Sequence, residues 1–430
     1  MVQSKMNRTS PQIAQVVVGL PVEGPFDYFI PVRFQDSIAV GMRVKVLFNR
    51  RTKVGYVVKL LQESEFDQLN PIIDVLDNFP ALSPSALTLS KRMSQYYGCT
   101  LGEGIETYLP AFLRKFTRFE WDVKNPWQNP FEKKSKAMLL HDKGQEARWE
   151  MLRKQIQEQV QRDKSVLFLV PEKHQIRTVG KRLSDFGCEI VPVARASTKK
   201  DFSIWEKFRE QKPKIAIGTR SLVFAPLHNL GLIILYEEEN SSFKQEQTPH
   251  YHALEVAQMR CEIEKCDLTI VSSVPSAETW AKAQELGWEI QQLDEDTKAH
   301  VQIIDLTNFE SKFSTSLSLP LQNAFQNALA NKERIYVLIN QRGFTSYTHC
   351  SQCGYIAKCD RCNTNLTYMF SRKKLTCRLC NFSTDLPDIC PQCHQSYVRS
   401  FGTGLERMQK ILAKFYPEAS MAVLDKETKK

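Results

Sequence analysis

Residues 350–362 read CSQCGYIAKCDRC, and two further cysteine pairs follow as CRLC at residues 377–380 and CPQC at residues 390–393. Eight of the twelve cysteines of the chain lie in these C-x-x-C pairs. Two thiolates separated by two residues can turn toward one metal ion, and a second pair completes a tetrahedral four-sulfur zinc site. The pairs therefore predict two zinc ions that cross-link the chain and, with no open coordination position, do not catalyse.

The spacing between the pairs predicts which cysteines share an ion. The span at residues 354–358 is too short to fold back comfortably, whereas residues 363–376 can form a hairpin. We therefore expect a nested arrangement of one outer and one inner zinc site. The outer set is Cys350, Cys353, Cys390 and Cys393, and the inner set is Cys359, Cys362, Cys377 and Cys380. Disulfides are the alternative, but no signal peptide is recognised at the start of the sequence and cytosolic thiols stay reduced.

Length and composition set limits on the class of protein. A chain of 430 residues with 42% hydrophobic residues predicts about three globular domains. The longest apolar runs fall far short of the roughly 20 residues that a membrane span needs, so we expect a cytoplasmic protein with no membrane partner. The net charge of +10 invites a nucleic-acid partner, although thiolates and zinc together would leave the cysteine-rich end only mildly basic.

The first part of the chain reads as short strands broken by turns. Apolar and polar residues alternate in several of these segments, as in half-buried strands, and together they predict a small β-barrel. The expected strands are residues 13–20, 26–31, 43–48 and 53–60. Ser83 is a predicted helix cap before a helix over residues 86–97.

The central part of the chain changes to mostly apolar runs that end in small or polar residues, with helical segments between them. The runs are residues 166–170, 215–220, 232–235 and 268–272, and the helical segments include 174–186 and 202–211. This pattern is typical of buried parallel strands in an α/β sheet. Sites in such sheets lie at the carboxyl ends of the strands, which here carry GTRS, YEEEN and SSVP.

Several of these segments resemble one known family. They are FDYFIP at residues 26–31, GMRVKVLF at 41–48, the stretch from GTRS to HYHA at 218–253, SSVPSAET at 272–279, and LINQRGF with the cysteine pairs from residue 338 onward. Together they resemble PriA, or primosomal protein N′, a family of bacterial superfamily 2 DNA helicases that act in replication restart. The resemblance covers about residues 13–115 and 165–430.

The resemblance implies an α/β multidomain fold. It would contain a small N-terminal β-barrel-like DNA-binding domain, a RecA-like helicase lobe 1 with a parallel sheet, and an incomplete lobe 2 that carries the two-zinc module. The expected boundaries are 1–115 for the 3′-end DNA-binding-like domain, 116–136 for a linker in place of the winged helix of the family, 137–298 for lobe 1, 299–349 for the start of lobe 2, 350–393 for the zinc module and 394–430 for the remainder of lobe 2.

The motifs for ATP chemistry depart from the family. A P-loop needs glycines, a Lys for the phosphates and a Ser or Thr for Mg²⁺, but residues 142–149 read DKGQEARW and keep only Gly144 as a possible cradle residue. Tyr236 replaces the leading Asp of the family's Asp-Glu-Glu-His signature, and Glu237 and Glu238 follow as remnants or structural carboxylates. The later motifs, including an arginine finger, find no counterpart. We expect an inactive relative of an ATP-dependent helicase, with no catalytic residues.

The resemblance also places a DNA-end site in the first domain. Phe26, Asp27 and Tyr28 match the positions that receive the terminal base and sugar of a nascent 3′ end, and the alternative for Asp27 is a cap of the turn after Pro25. Asn49 and Asn70 stand where the family has Gly and Lys, and loss of the Lys ammonium would weaken attraction of the DNA backbone. Three cations on the neighbouring turn either face phosphate or form a solvated hairpin tip. They are Arg50, Arg51 and Lys53.

Two further groups of residues leave two interpretations open. An aromatic-rich loop either stacks on single-stranded DNA or packs against the sheet; its residues are Phe243, Lys244, Tyr251 and His252. A basic set in the zinc module either meets DNA or a protein partner or forms a solvated face; its residues are Arg361, Arg372, Lys373, Lys374 and Arg378.

The function implied by these features is replication restart of the PriA type. The protein would bind stalled or abandoned forks, or junctions of single-stranded and duplex DNA, and would promote primosome assembly without helicase activity. Primosome proteins and the single-strand-binding protein would be its partners at the bacterial nucleoid. The alternatives are an active ATP-dependent 3′-5′ helicase with divergent motifs and a zinc-stabilised adaptor that binds protein only.

Overall fold

The computed structural model divides the chain into two compact units, residues 1–297 and 298–430. The structure describes residues 12–122, 135–141, 145–194, 198, 201–293, 300–304, 317–339, 347–350, 353–369, 374–377, 379–395, 398–401 and 405–424. In these residues no helix has the length and apolar character required to cross a membrane.

The first unit begins with a five-stranded antiparallel sheet in the order β2-β1-β4-β3-β5. The strands are β1 (Ile13–Val18), β2 (Phe26–Phe29), β3 (Arg43–Phe48), β4 (Arg51–Leu61) and β5 (Asp74–Val75), with a short helix α1 (Val32–Gln35) after β2. Asn49 and Arg50 join β3 to β4 with φ angles of 46° and 61°. Two positive φ values in a two-residue turn are the geometry of a type I′ hairpin, which matches the twist of the flanking strands.

Two helices follow this sheet, α2 (Pro84–Tyr97) and α3 (Leu101–Tyr108). Ser83 caps α2, since its side-chain oxygen accepts a hydrogen bond from the Ala86 backbone N–H (2.9 Å), as the sequence predicted. Gly98 ends the helix in the left-handed conformation with φ of 65°. Thr100 and Glu103 form a capping box at the start of α3, which satisfies two backbone donors at that helix end.

A seven-stranded parallel sheet forms the rest of the first unit, in the order β12-β6-β11-β10-β7-β9-β8. Its strands are β6 (Ala137–His141), β7 (Ser165–Leu169), β8 (Glu189–Val193), β9 (Lys214–Gly218), β10 (Leu230–Tyr236), β11 (Asp267–Ser272) and β12 (Glu289–Gln292). The helices beside them are α4 (Gln145–Val160), α5 (Lys173–Arg182), α6 (Phe202–Arg209), α7 (Ala253–Glu264) and α8 (Ala277–Glu285). The central strands β7, β9 and β10 are buried along their whole length, which explains their continuous apolar sequence.

The start of the expected linker packs into this unit. Trp121 is almost fully buried, and the guanidinium of Arg209 on α6 lies 3.5 Å from the centre of its ring. Arg209 also donates to the carbonyl of Ala81 (2.7 Å), so one side chain joins the parallel-sheet region to the N-terminal domain. Phe119 and Trp121 are thus buried in the core, whereas Phe116 is exposed; residues 123–134 lie outside the described part of the chain.

A buried ion pair fixes the chain just before that segment. Arg43 and Asp77 have fully buried side chains, and two of the guanidinium nitrogens of Arg43 donate to the carboxylate. The third nitrogen donates to the carbonyls of Leu113 (2.8 Å) and Lys115 (3.1 Å). One side chain on β3 thus holds both a buried carboxylate and the chain that leaves the domain.

In the described residues of the second unit there are two helices and two small antiparallel sheets. The helices α9 (Leu319–Ala330) and α10 (Leu405–Phe415) share an apolar core that includes Phe325 and Leu412. One sheet pairs β13 (Tyr347–Cys350) with β17 (Val398–Phe401), and the other has the order β14 (Thr367–Met369), β15 (Lys374–Thr376), β16 (Ser383–Asp385). The α/β multidomain fold that the sequence predicted, with an antiparallel N-terminal sheet, a parallel sheet and a cysteine module, is confirmed.

Candidate metal centres and DNA-end site

The structure brings the eight paired cysteines into two clusters of four. One cluster is Cys350, Cys353, Cys390 and Cys393, and the other is Cys359, Cys362, Cys377 and Cys380. Within each cluster all the Sγ atoms lie within 4.8 Å of one another. These are the outer and inner sets expected from the spacing, and the hairpin between the inner pairs is the β14–β15 ladder.

All four cysteine pairs adopt one backbone turn. In each turn the residue after the second cysteine donates its N–H to the carbonyl of the first cysteine, at 2.8–3.0 Å. That residue always has positive φ; the four are Gly354 (75°), Asn363 (54°), Asn381 (59°) and His394 (57°). The first cysteine donates its own N–H to the carbonyl one residue further on, at Tyr355, Thr364, Phe382 and Gln395. The repeated turn aims both thiols of each pair to the same side.

The thiol geometry fits a tetrahedral metal ion. Sulfur atoms of different pairs lie 3.6 Å apart, for Cys350 and Cys393, Cys353 and Cys390, and Cys359 and Cys380. A tetrahedral ion with metal–sulfur bonds of about 2.3 Å requires sulfur–sulfur distances of about 3.8 Å, whereas a disulfide requires about 2.05 Å. The two clusters could therefore hold one metal ion each.

The electrostatics of the inner cluster also favour a bound cation. A hydrogen bond from the Thr364 hydroxyl (3.3 Å) lowers the pKa of the Cys377 thiol to about 6, which favours the thiolate that a metal requires. Hydrogen bonding to Cys380, desolvation and the charge of neighbouring thiolates raise the pKa of Cys362 to about 12. A second thiolate is thus disfavoured beside the first, and a divalent cation would relieve that repulsion.

The basic residues of the zinc module are only partly described. The Arg361 guanidinium lies 5.3 Å from the centre of the Phe382 ring, and Lys374 pairs with Asp385 at 3.7 Å. Arg372, Lys373 and Arg378 lie outside the described residues. The two described cations thus contact groups of the module itself.

The predicted DNA-end residues lie on β2, at the edge of the N-terminal sheet. Asp27 is half-buried, and its carboxylate accepts hydrogen bonds from Gln15 Nε2 (3.1 Å) and Ser64 Oγ (2.6 Å). Tyr28 is only 3% exposed, and its hydroxyl donates to the carbonyl of Leu47 (3.0 Å). Burial raises the pKa of Tyr28, so its ring is a neutral part of the sheet core.

The other predicted DNA contacts differ in exposure. Phe26 is half-buried and packs on Phe48 with ring centres 5.0 Å apart. The hairpin residues Arg50 and Arg51 are exposed, and Lys53 is half-buried. The Asp27 carboxylate and the basic turn are therefore accessible to solvent, whereas Tyr28 lies in the core of the same sheet.

The partners of Asp27 could not be identified from the sequence. Gln15 lies twelve residues before Asp27, and Ser64 lies thirty-seven residues after it. Glutamine and serine are common on surfaces, and no motif singles them out. Only the pairing of β1 with β2 and the return of the chain after β4 bring them to the carboxylate.

Two aromatic rings pack together where α4 meets the end of β10. Trp149 lies in α4, within the segment that was compared with a P-loop, and Tyr236 ends β10. Their ring centres are 5.5 Å apart. Arg148 Nη1 donates to the Tyr236 hydroxyl (3.1 Å), and burial raises the pKa of that hydroxyl. Asp142, Lys143 and Gly144 lie outside the described residues.

The carboxylates after β10 are engaged by protein side chains. Glu237 accepts a hydrogen bond from Gln175 Nε2 (2.7 Å). Glu238 is only 4% exposed and accepts hydrogen bonds from the hydroxyls of Ser276 (2.6 Å) and Thr279 (2.5 Å). Glu239 accepts from Ser272 Oγ (2.6 Å). These contacts join the YEEE segment to SSVPSAET and give the three carboxylates structural partners.

The aromatic-rich loop packs against the protein. Phe243 and Tyr251 are buried, and burial raises the pKa of Tyr251 to about 12. His252 caps α7, because its Nδ1 accepts from the Leu254 backbone N–H (3.3 Å), and burial lowers its pKa. Lys244 is exposed, 5.9 Å from the ring centre of Tyr97. Of the two interpretations of this loop, the geometry favours packing.

Comparison with known proteins supports the resemblance to the PriA family. The sequence profile of the PriA 3′ DNA-binding domain (3′BD) matches residues 15–110. Replication restart protein PriA of Bacillus subtilis is 31% identical over 300 residues, which are 68% of this chain and 37% of that protein. PriA of Synechocystis is 34% identical over 280 residues, 61% of this chain and 34% of that protein. PriA of Treponema pallidum is 26% identical over 444 residues, 96% of this chain and 66% of that protein.

The resemblance to PriA expected from the sequence is confirmed by these relatives. The chain spans between about one third and two thirds of the length of the curated relatives it matches. Among solved structures, RecG bound to a three-way DNA junction is 18% identical with a TM-score of 0.28, covering 50% of this chain and 25% of that chain. The fold assignment rests on the sheet topology described above.

Proposed function

We propose that this protein binds forked or junction DNA that carries a 3′ end and acts in replication restart of the PriA type, without hydrolysing ATP. The match of residues 15–110 to a 3′ DNA-binding domain supports the DNA part of this proposal. The half-buried Asp27 carboxylate and the exposed cations Arg50 and Arg51 support it further, since one can accept a hydrogen bond from a sugar hydroxyl and the others can neutralise phosphate.

The packing of Trp149 on Tyr236 carries the second part of the proposal. In P-loop enzymes a Ser or Thr hydroxyl and an Asp carboxylate hold the Mg²⁺ that bridges the nucleotide phosphates. An indole and a phenol 5.5 Å apart offer no comparable oxygen ligands, and the phenol already interacts with Arg148. Glu237 and Glu238 have protein partners as well, so the residues that the structure describes in this region support a site without a magnesium–nucleotide complex.

We also propose that the metal in both cysteine clusters is zinc. Four thiolates in a tetrahedral arrangement are the usual ligand set of structural zinc, and a site closed by four cysteines leaves no position for water. The ions would hold the short strands β13 to β17 together. No catalytic step is assigned to them.

The central experiment is a binding titration with a fluorescent DNA fork that has a leading strand ending in a 3′ hydroxyl. The proposal expects salt-sensitive binding that weakens when the hydroxyl is removed. Binding that ignores the end would overturn the 3′-end part of the proposal, and no binding at all would favour the protein-only adaptor. The primosome proteins and the single-strand-binding protein are proposed partners, to be tested by pull-down with the DNA digested away.

A second experiment separates the proposal from an active helicase. ATP hydrolysis would be measured on the same fork for the wild-type protein and for the Glu237→Ala/Glu238→Ala double variant. The proposal expects both proteins to stay at the background rate. Hydrolysis by the wild-type protein clearly above that of the double variant would overturn the inactive assignment and favour a helicase with divergent motifs.

A further inference from the structure

Two polar side chains from different parts of the N-terminal domain meet at the Asp27 carboxylate. Gln15 on β1 is the direct cross-strand partner of Asp27 on β2, and its Nε2 donates to Oδ1 (3.1 Å). Ser64 comes from the segment after β4, and its Oγ donates to Oδ2 (2.6 Å). Each oxygen of the Asp27 carboxylate thus accepts one hydrogen bond, one from a residue that precedes Asp27 in the sequence and one from a residue that follows it.

The hydroxyl of Ser64 is itself oriented. Its oxygen accepts a hydrogen bond from the Phe66 backbone N–H (3.2 Å), so its proton is left to point at Asp27. A hydrogen bond of 2.6 Å from a hydroxyl to a charged oxygen belongs to the strong, charge-assisted class. The two donors together restrict rotation of a carboxylate that would otherwise turn freely at the edge of the sheet.

The hydrogen-bond acceptor sites that Gln15 and Ser64 leave open on the Asp27 carboxylate determine which ligand it can bind. An ionised carboxylate has about four acceptor sites and no donor, so about two sites stay available after Gln15 and Ser64 are bound. A free sugar hydroxyl can donate a hydrogen bond to these sites. A terminal phosphate offers no such donor, and its negative charge is repelled by the carboxylate. Three exposed acidic residues on the same segment add to that repulsion: Glu63, Glu65 and Asp67.

We infer that Gln15 and Ser64 are positioning residues that hold the Asp27 carboxylate to accept a hydrogen bond from the free hydroxyl of a terminal nucleotide. The inference deepens the proposed function and rests on it. Asp27 would contact the DNA end, whereas Gln15 and Ser64 would act through Asp27. Selectivity for a hydroxyl end over a phosphate end would then follow from the fixed, acceptor-only carboxylate and the acidic segment beside it.

The test compares three forks that differ only in the leading-strand end, a 3′ hydroxyl, a 3′ deoxy end and a 3′ phosphate. For the wild-type protein we expect binding about tenfold tighter to the hydroxyl end than to the deoxy end, the value of one charged hydrogen bond. In Ser64→Ala and Gln15→Ala this ratio should fall to about two or below, because the carboxylate is free to rotate. Ser64→Thr keeps a hydroxyl and should restore the wild-type ratio.

The matched control is Ser37→Ala, which removes an exposed hydroxyl that donates only to the Phe34 carbonyl of the same domain. It should leave the ratio unchanged. Each ratio is measured within one variant, so a general loss of stability does not produce the expected pattern. Wild-type ratios retained in Ser64→Ala and Gln15→Ala would overturn this inference alone, whereas equal affinity of the wild-type protein for all three ends would overturn end recognition in the proposed function.

Discussion

The rings of Trp149 and Tyr236 lie 5.5 Å apart with an angle of 34° between their planes, and Phe168 on the neighbouring strand β7 stacks on Trp149 at 6.0 Å. The segments that carry the first two residues are those compared with the P-loop and the Walker B motif, which hold Mg²⁺ in P-loop enzymes. Aromatic pairs in such geometry gain about 0.5–1.5 kcal/mol beyond the burial of their surface. Trp149, Phe168 and Tyr236 belong to one hydrophobic cluster, so their packing contributes to stability.

Replacement of Trp149 should consequently reduce stability without affecting any nucleotide chemistry. Trp149→Ala is expected to lower the free energy of unfolding by about 3–5 kcal/mol, since it removes a large buried side chain. Urea unfolding measures the change. Tyr96→Ala, at a ring that is 58% exposed, should cost much less and serves as the control. Saturable uptake of magnesium–ATP by the wild-type protein in a calorimetric titration would contradict this account of the region.

Removal of metal should unfold the cysteine module selectively. A chelator is expected to release two zinc ions per chain and to expose residues 350–393 to proteolysis, because structural zinc contributes on the order of 10–16 kcal/mol to such small segments. Cys377→Ser should lose one of the two ions, while Cys99→Ser, outside both clusters, should keep both. A colorimetric assay of released zinc decides the stoichiometry. A metal-free protein that remains fully folded would refute the prediction.

Loss of one partner of the Arg43–Asp77 pair should be costly. Arg43→Met leaves the Asp77 carboxylate buried without its counter-charge and leaves the carbonyls of Leu113 and Lys115 without a donor. We expect a loss of about 3–5 kcal/mol in the free energy of unfolding. The double variant Arg43→Met/Asp77→Asn removes both charges and should recover part of that loss. Equal stability of the single variant and the wild-type protein would show that the pair contributes little.

The cap of α7 should make stability depend on pH. Burial lowers the pKa of His252 below its ordinary value of 6.5, so the unfolded chain takes up a proton first as pH falls. The contribution of His252 is therefore complete above about pH 6.5 and is lost as pH falls toward the lowered folded pKa. His252→Asn keeps a capping side chain but does not titrate, so its stability should vary less between pH 7 and pH 5.

Chemical unfolding at several pH values measures this difference. His174→Asn is the matched control, a histidine substitution at an exposed side chain outside the α7 cap. Parallel pH profiles for the wild-type protein and His252→Asn would show that the His252 cap does not titrate with folding.

Much of the fold could be predicted because the relevant signals are local. Spacer length alone indicated how the cysteines group, and alternation in GMRVKVLF indicated the strand β3. The edge strand β12, with the sequence EIQQ, has too few apolar residues to stand out, and β8 contains Pro192, which usually argues against a strand. Both are held by pairing to one neighbour each, a tertiary effect that no short window of sequence contains.

In the candidate sites, too, some features follow from short stretches of sequence and others depend on long-range contacts. The metal ligands follow from residue type and spacing, since a thiolate pair needs only its own turn. Tyr28 and Asp27 are adjacent in sequence, yet one lies in the core and the other is half-exposed, which depends on the face of β2 that meets the rest of the sheet. The partners of Asp27 depend on long-range contacts and become visible only in the folded domain.

Because the four cysteine pairs adopt the same turn, their metal-binding loops should be interchangeable. Since each turn is closed by its own backbone hydrogen bonds, any one loop should function in the place of another, and the two residues between its cysteines can vary. The position after the second cysteine is the exception: its left-handed backbone tolerates glycine, asparagine or histidine and strongly disfavours valine or isoleucine. The module should thus tolerate substitutions best between the two cysteines of each pair and least at the residue after the second cysteine.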